Sequence, residues 1–176
     1  MNARAVFLDR DGVINASIVR EGKPYPPNSL NDFTYLPGAV EGIKRLRQAG
    51  YLIIVVTNQP DVATGLQKKA TVELMHAQLY KDKLCDDIKV CYHIDKDLCD
   101  CRKPKPGMLL QAAFEWGIEL TTSFMVGDRW RDVEAGNAAG CSSYFIDYQY
   151  QEREPTGPFK RVRSLEEASQ CILNEN

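Results

Sequence analysis

Histidine and tryptophan are scarce in this 176-residue chain, at two each, and neither sign of charge is in surplus. Lys and Arg total 22 against 24 Asp and Glu, a formal net charge of -2. A general nucleic-acid or membrane-surface binder needs an electropositive footprint, which this balance withholds. No run of about 18 apolar residues is present, and no charged segment leads into an apolar stretch and a small-residue cleavage site at the start. The expectation is a cytoplasmic protein whose six cysteines stay thiols or metal-bound thiolates in a reducing compartment. With 44% hydrophobic residues the chain can bury a substantial core, and its length fits one globular domain over residues 1–176.

Short apolar runs alternate with segments of helical period, the pattern of a doubly wound α/β fold with a parallel sheet covered on both faces. Five strands are predicted: Ala5 to Leu8, Tyr51 to Val56, Ile88 to Tyr92, Phe124 to Val126 and Ser143 to Ile146. Between them, Val40-Ile43-Leu46, Val72-Met75-Leu79 and Met108-Leu109-Ala112-Trp116 recur every three or four residues, as crossover helices do. Ser164 with Glu167 three residues on predicts a capping box opening a last helix, Ser164 to Leu173. Three stretches resist regular assignment: Asn15 to Leu36, Cys91 to Pro106 and Tyr148 to Lys160. The first two follow predicted strands, where ligands of open α/β sheets bind, and are candidate walls of a site.

Three strands end in polar residues. Asp9-Arg10-Asp11-Gly12 places two carboxylates at the first strand end, where they can bind a divalent cation while one attacks phosphorus and the other handles a proton. Thr57-Asn58-Gln59 offers a hydroxyl and amides that can hold a phosphate oxygen. Gly127-Asp128-Arg129 supplies an acid that can complete a magnesium site, with Asp132 four residues on serving either that site or the dipole of its helix. Arg102-Lys103 adds cations before a helix, Lys103 to neutralise a transferring phosphoryl group and Arg102 to fork onto a second phosphate or a carboxylate, while Lys105 reads as solvated. Cys91, His93, Cys99 and Cys101 crowd into eleven positions, which suggests a metal, whereas Cys85, Cys141 and Cys171 read as packed thiols and His76 has no evident role.

Taken in order, Asp9-Arg10-Asp11-Gly12, Thr57-Asn58-Gln59, Lys103 and Gly127-Asp128 resemble the four motifs of the haloacid dehalogenase superfamily. Cys99-Asp100-Cys101-Arg102-Lys103-Pro104-Lys105-Pro106-Gly107-Met108 resembles its small capless branch, which includes heptose-bisphosphate and histidinol-phosphate phosphatases. The resemblance implies a Rossmann-like sheet without a cap domain. It implies Asp9 as nucleophile forming an aspartyl-phosphate, Asp11 as general acid and base, and Mg2+ on Asp9, the Asp11 backbone carbonyl and Asp128. Thr57, Asn58, Arg102, Lys103 and Arg129 become the expected phosphate and substrate contacts. That branch carries a zinc loop, so Cys91-x-His93-x5-Cys99-x-Cys101 implies a closed structural Zn2+ site that turns Arg102 and Lys103 toward the phosphate.

The implied substrate is a small phosphorylated sugar, foremost D-glycero-D-manno-heptose 1,7-bisphosphate, handled by a monomer with no nucleic-acid or membrane partner. Arg20 and Lys23 in the first loop are candidates to meet a distal phosphate. Heptose-bisphosphate phosphatases follow Thr-Asn-Gln with Ser-Gly and later Ala-Arg-Gly, whereas this chain reads Pro60-Asp61 and then Ala63-Thr64-Gly65. Histidinol phosphate is the alternative substrate, and a zinc-stabilised binding module without catalysis is the alternative outside enzymes.

Overall fold

A computed structural model describes residues 3–175. Its strands are β1 (Ala5–Leu8), β2 (Ile18–Arg20), β3 (Lys23–Tyr25), β4 (Leu52–Asn58), β5 (Asp87–Cys91), β6 (Phe124–Gly127), β7 (Ser142–Ile146) and β8 (Lys160–Val162). Its α-helices are α1 (Ala39–Gln48), α2 (Lys69–Lys81), α3 (Gly107–Trp116), α4 (Trp130–Ala139) and α5 (Leu165–Asn174).

The main sheet is parallel, in the order β5-β4-β1-β6-β7-β8. The chain starts in the middle, builds outward to β5, and returns to the other side of β1 at β6. Adjacent strands that leave in opposite directions open a crevice at their carboxyl ends, and β1 and β6 are that pair. Side chains alternate across each strand. Val6 and Leu8 of β1 therefore pack with Ile43 and Leu46 of α1 and with Leu165 and Ile172 of α5. Ala5 and Phe7 face the opposite layer, with Met108, Leu109 and Ala112 of α3 and Ala135 of α4. Among the described residues the motif strands are joined by loops, a hairpin and crossover helices, with no cap domain, and no helix is long and apolar enough to cross a membrane.

The five predicted strands are present, and the structure adds three. β8 completes a six-stranded sheet from the end of the polar run onward; Lys160 and Arg161 are exposed and only Val162 is buried, so this short edge strand has no apolar run to reveal it. β2 and β3 form a hairpin within the first irregular loop, its two-residue turn of Glu21 (φ 49°) and Gly22 (φ 71°) suited to the twist of paired strands. Pro24 is tolerated there because this two-stranded ribbon consists only of edges. The capping box at α5 forms by half: Ser164 Oγ accepts the Glu167 N–H (3.1 Å), but the Glu167 carboxylate accepts the Arg163 N–H (2.8 Å) in place of Ser164's own. Cys85 and Cys141 are buried in the two core layers and Cys171 packs against one of them, as packed thiols should.

Candidate active site

Asp9 follows the last residue of β1 and Asp128 the last residue of β6, so parallel pairing of these two strands sets the acids side by side. Asp132 joins them from the first turn of α4, and ligand atoms of the three carboxylates lie within 4.8 Å of one another. Two glycines make the approach possible. A Cβ on Gly127 would lie 2.0 Å from that of Asp132, and one on Gly12 would lie 1.9 Å from Asp128 Oδ2, with Gly12 also at φ +82°.

Lys103 reaches into this cluster almost wholly buried, its Nζ 3.0 Å from Asp9 Oδ1, 2.6 Å from Asp132 Oδ1 and 2.7 Å from the Val56 carbonyl. Burial alone would depress the Lys103 ammonium, but Asp132 and Asp9 outweigh it and hold it above its usual value. Burial and the neighbouring Asp132 charge push Asp9 up to about 6 against the pull of Lys103. Burial, with Asp9 and Asp132 nearby, raises Asp128 well above the ordinary carboxylate range. Three buried acids facing one ammonium leave a deficit of positive charge, and Asp128 Oδ1 is buried with no hydrogen-bond partner. An oxygen-rich, electron-rich pocket of this kind fits a hard divalent cation.

Asp11 lies outside this three-acid cluster but also borders the cleft above it. Its carboxylate accepts from the Arg10 guanidinium (3.0 and 3.2 Å), Asn15 Nδ2 (2.9 Å) and Gln59 Nε2 (2.8 Å). Arg10 is itself fully buried, its Nη1 3.3 Å from His76 Nε2. Burial, and then the Arg10 charge, hold that imidazole down at about 4, so His76 is neutral and accepts from Arg10. The histidine with no evident role in the sequence thus supports the residue that grips Asp11.

A cleft of roughly 200 Å³ opens onto the cluster, lined by Asp9, Asp11, Lys103 and Asp128 on its floor and by Lys23, Tyr25, Asn58, Arg129 and Arg131 among its walls. Thr57 lies beneath this surface, buried, with its hydroxyl accepting from Gln59 Nε2 at 2.9 Å. The Asn58 carboxamide brackets the Lys103 backbone, donating to its carbonyl and accepting from its N–H, each at 3.1 Å. Arg129 lines the cleft while pairing with Glu152.

Arg102 departs from the expectation that it faces the phosphate. Its Nε donates to Asp95 at 2.8 Å and its Nη1 to the His93 carbonyl at 3.2 Å, and it does not line the cleft. Arg131 does line it, held by Asp95 (3.2 and 3.3 Å) and by the Lys103 carbonyl (3.3 Å). Likewise Lys23 lines the cleft, whereas Arg20 stacks over Tyr25. Asp132 was signalled by its spacing from Asp128. Arg131 carried no signal, because a single arginine in a helix's first turn reads as surface charge.

A second cluster lies at the end of β5, two strands from β1 in the sheet. Cys91 at the end of β5, His93, Cys99 and Cys101 bring three sulfurs and Nδ1 within 4.8 Å of one another, with neighbours 2.8 to 3.7 Å apart. Three thiols and an imidazole are the donor set of a structural zinc site, whose tetrahedron with metal–sulfur arms of about 2.3 Å has edges of roughly 3.8 Å; the Cys91–Cys99 edge at 3.7 Å matches it, and the Cys91–Cys101 edge at 2.8 Å is shorter. Lys105 is exposed, as a solvated charge should be, and its ammonium also donates to the Leu98 and Cys99 carbonyls (3.2 and 2.8 Å), tying the loop across. Lys103 follows two residues after the last of these ligands.

Comparison with known proteins adds to this geometry. Residues 29–140 match the haloacid dehalogenase-like hydrolase family. The D-glycero-beta-D-manno-heptose-1,7-bisphosphate 7-phosphatase of Pseudomonas aeruginosa is 38% identical over 152 residues, 83% of this chain and 82% of that protein. The D-glycero-alpha-D-manno-heptose-1,7-bisphosphate 7-phosphatase of Photorhabdus laumondii is 36% identical over 156 residues, 81% of each chain. The crystal structure of D,D-heptose 1,7-bisphosphate phosphatase from B. bronchiseptica, complexed with magnesium and phosphate, superposes with a TM-score of 0.83 at 30% identity, covering 98% of this chain and 99% of that one.

Proposed function

The chain belongs to the haloacid dehalogenase-like hydrolases, and from that membership we propose that it is a magnesium-dependent phosphatase releasing the 7-phosphate of D-glycero-D-manno-heptose 1,7-bisphosphate, acting as a monomer. The observation that carries the proposal is the convergence of Asp9, Asp128 and Asp132 around buried Lys103 at the β1/β6 reversal. The substrate is supported by the names of relatives that match four-fifths of the chain, and these include both anomers.

Asp9 attacks phosphorus, the bond to the sugar oxygen breaks, and Asp11 gives that oxygen its proton. Water then passes a proton to Asp11 and attacks the aspartyl-phosphate, releasing inorganic phosphate and freeing Asp9. Asp9, Asp128 and the Asp11 backbone carbonyl would hold magnesium, which when bound would supply the positive charge that lets an anionic ester approach an anionic nucleophile. Lys103 neutralises charge on the transferring group from within a dry site, where an ammonium acts most strongly. Thr57 supports the floor through Gln59, and Asn58 fixes the Lys103 backbone. Arg129, Arg131 and Lys23 present cations to the substrate's far end, with Arg102 in reserve behind Asp95. Cys91, His93, Cys99 and Cys101 would hold a structural zinc, which would close the loop that delivers Lys103.

The test is magnesium-dependent phosphate release from both anomers of heptose 1,7-bisphosphate and from histidinol phosphate. A heptose preference of at least about a hundredfold in kcat/KM, worth about 2.7 kcal/mol of transition-state discrimination, is expected. Preference for histidinol phosphate would overturn the substrate, and inertness toward every ester would overturn the phosphatase.

A further inference from the structure

The segment 148–152, part of the polar run that the sequence left without a role, is tied to the site at four points. Tyr148 donates to the Gly12 carbonyl at 3.0 Å and Tyr150 to Asp128 Oδ2 at 3.0 Å. The Gln151 N–H meets the Gly22 carbonyl at 2.9 Å, and Glu152 accepts from Arg129 Nε at 3.0 Å. The two tyrosine rings pack together with centroids 5.5 Å apart.

The Tyr150 bond divides the two oxygens of Asp128. Oδ2 receives the phenol proton, while Oδ1 is buried with no partner. A carboxylate ends in two rotatable bonds, and a buried one without a fixed donor turns toward a neighbouring positive group, here Arg129. Gly12 packs so near Oδ2 that a Cβ there would lie 1.9 Å away, which confines the carboxylate from the other side.

We infer that Tyr150 is a positioning residue for the cation: its hydroxyl holds Asp128 by Oδ2 and so leaves Oδ1 free to ligate, an inference that rests on the magnesium-dependent reading of this site. Such outer hydrogen bonds to a ligating carboxylate typically set metal affinity by tenfold or more.

The experiment measures Mn2+ binding to the metal-stripped full chain from the free-ion EPR signal, for wild type, Tyr150→Phe, Tyr148→Phe and Asp128→Asn. Magnesium activation of phosphate release is recorded alongside. Tyr150→Phe is expected to weaken Mn2+ by about tenfold and to raise the magnesium activation midpoint by the same factor, with kcat restored at saturating metal. Tyr148→Phe, which loses a bond to Gly12 and none to Asp128, is expected to stay within about twofold of wild type in metal affinity. Wild-type affinity in Tyr150→Phe would overturn the inference. Equal weakening in both tyrosine variants would overturn it too, because the whole segment and not the one hydroxyl would then be responsible. Wild-type binding that Asp128→Asn leaves unchanged would instead fail the cation site itself.

Discussion

Lys103→Met leaves Asp9 and Asp132 buried without their shared cation, and the Val56 carbonyl without its donor. The side chain being replaced is 2% exposed, so solvent cannot make good the loss. Breaking a buried ion pair from one side costs about 3–5 kcal/mol. At roughly 2–4 °C per kcal/mol for a chain of this size, the melting temperature in metal-free buffer should fall by about 10 °C. The deficit should also depend on pH. Asp9 has a raised value in the fold, about 6 against 3.8, so its protonation contributes stability present below 3.8 and lost as pH rises through 6. Lys103 opposes that rise, and without it the Asp9 value moves higher still. Unfolding followed in EDTA should therefore show a large deficit at pH 8 and a small one at pH 5, where Asp9 accepts a proton. An equal deficit at both values, or a larger one at pH 5, would refute the ion-pair account of Lys103.

His76→Gln keeps an acceptor for Arg10 but removes a titrating ring. The wild-type imidazole is depressed to about 4 in the fold, so it contributes stability that is present above its unfolded value of 6.5 and lost as pH falls toward 4. Wild type should accordingly lose about 2 kcal/mol more than the variant between pH 7 and pH 5 in parallel denaturant titrations, a difference that vanishes if His76 is not buried neutral. Cys101→Ser should lower zinc content measured by atomic absorption and cut kcat/KM by tenfold or more through misplacement of Lys103, with the sheet's circular dichroism retained; undiminished activity in zinc-free protein would contradict the positional role. Arg131→Ala should raise KM for a bisphosphate by about tenfold and spare a monophosphate, while Arg102→Ala should change it less; the reverse order in steady-state kinetics would return Arg102 to the cleft.

Much of this was legible because chemistry and periodicity coincide in short stretches. β1, β4 and β6 are apolar runs ending in the polar residues they present, so reading the strand also located the acid. The Cys/His set was legible for the same reason, four ligands within eleven positions. What escaped depended on contacts distant in sequence. Arg102 and Arg131 carry the same charge and share the carboxylate of Asp95, and only their places in the fold, one in the loop and one on α4, separate the arginine that borders the cleft from the one that does not. Tyr150 lies 22 residues from Asp128 in a run with no period, and its role exists only because β7 carries the chain back past β6. β8 escaped because two of its three residues face solvent and are charged.

Asp9 is assigned as the nucleophile, and Asp9→Asn puts that role to the test. With saturating magnesium and heptose 1,7-bisphosphate, the variant should lose at least about a thousandfold in kcat while its thermal unfolding shows an intact fold, since the amide cannot form the phosphoenzyme. Turnover within tenfold of wild type would contradict the mechanism.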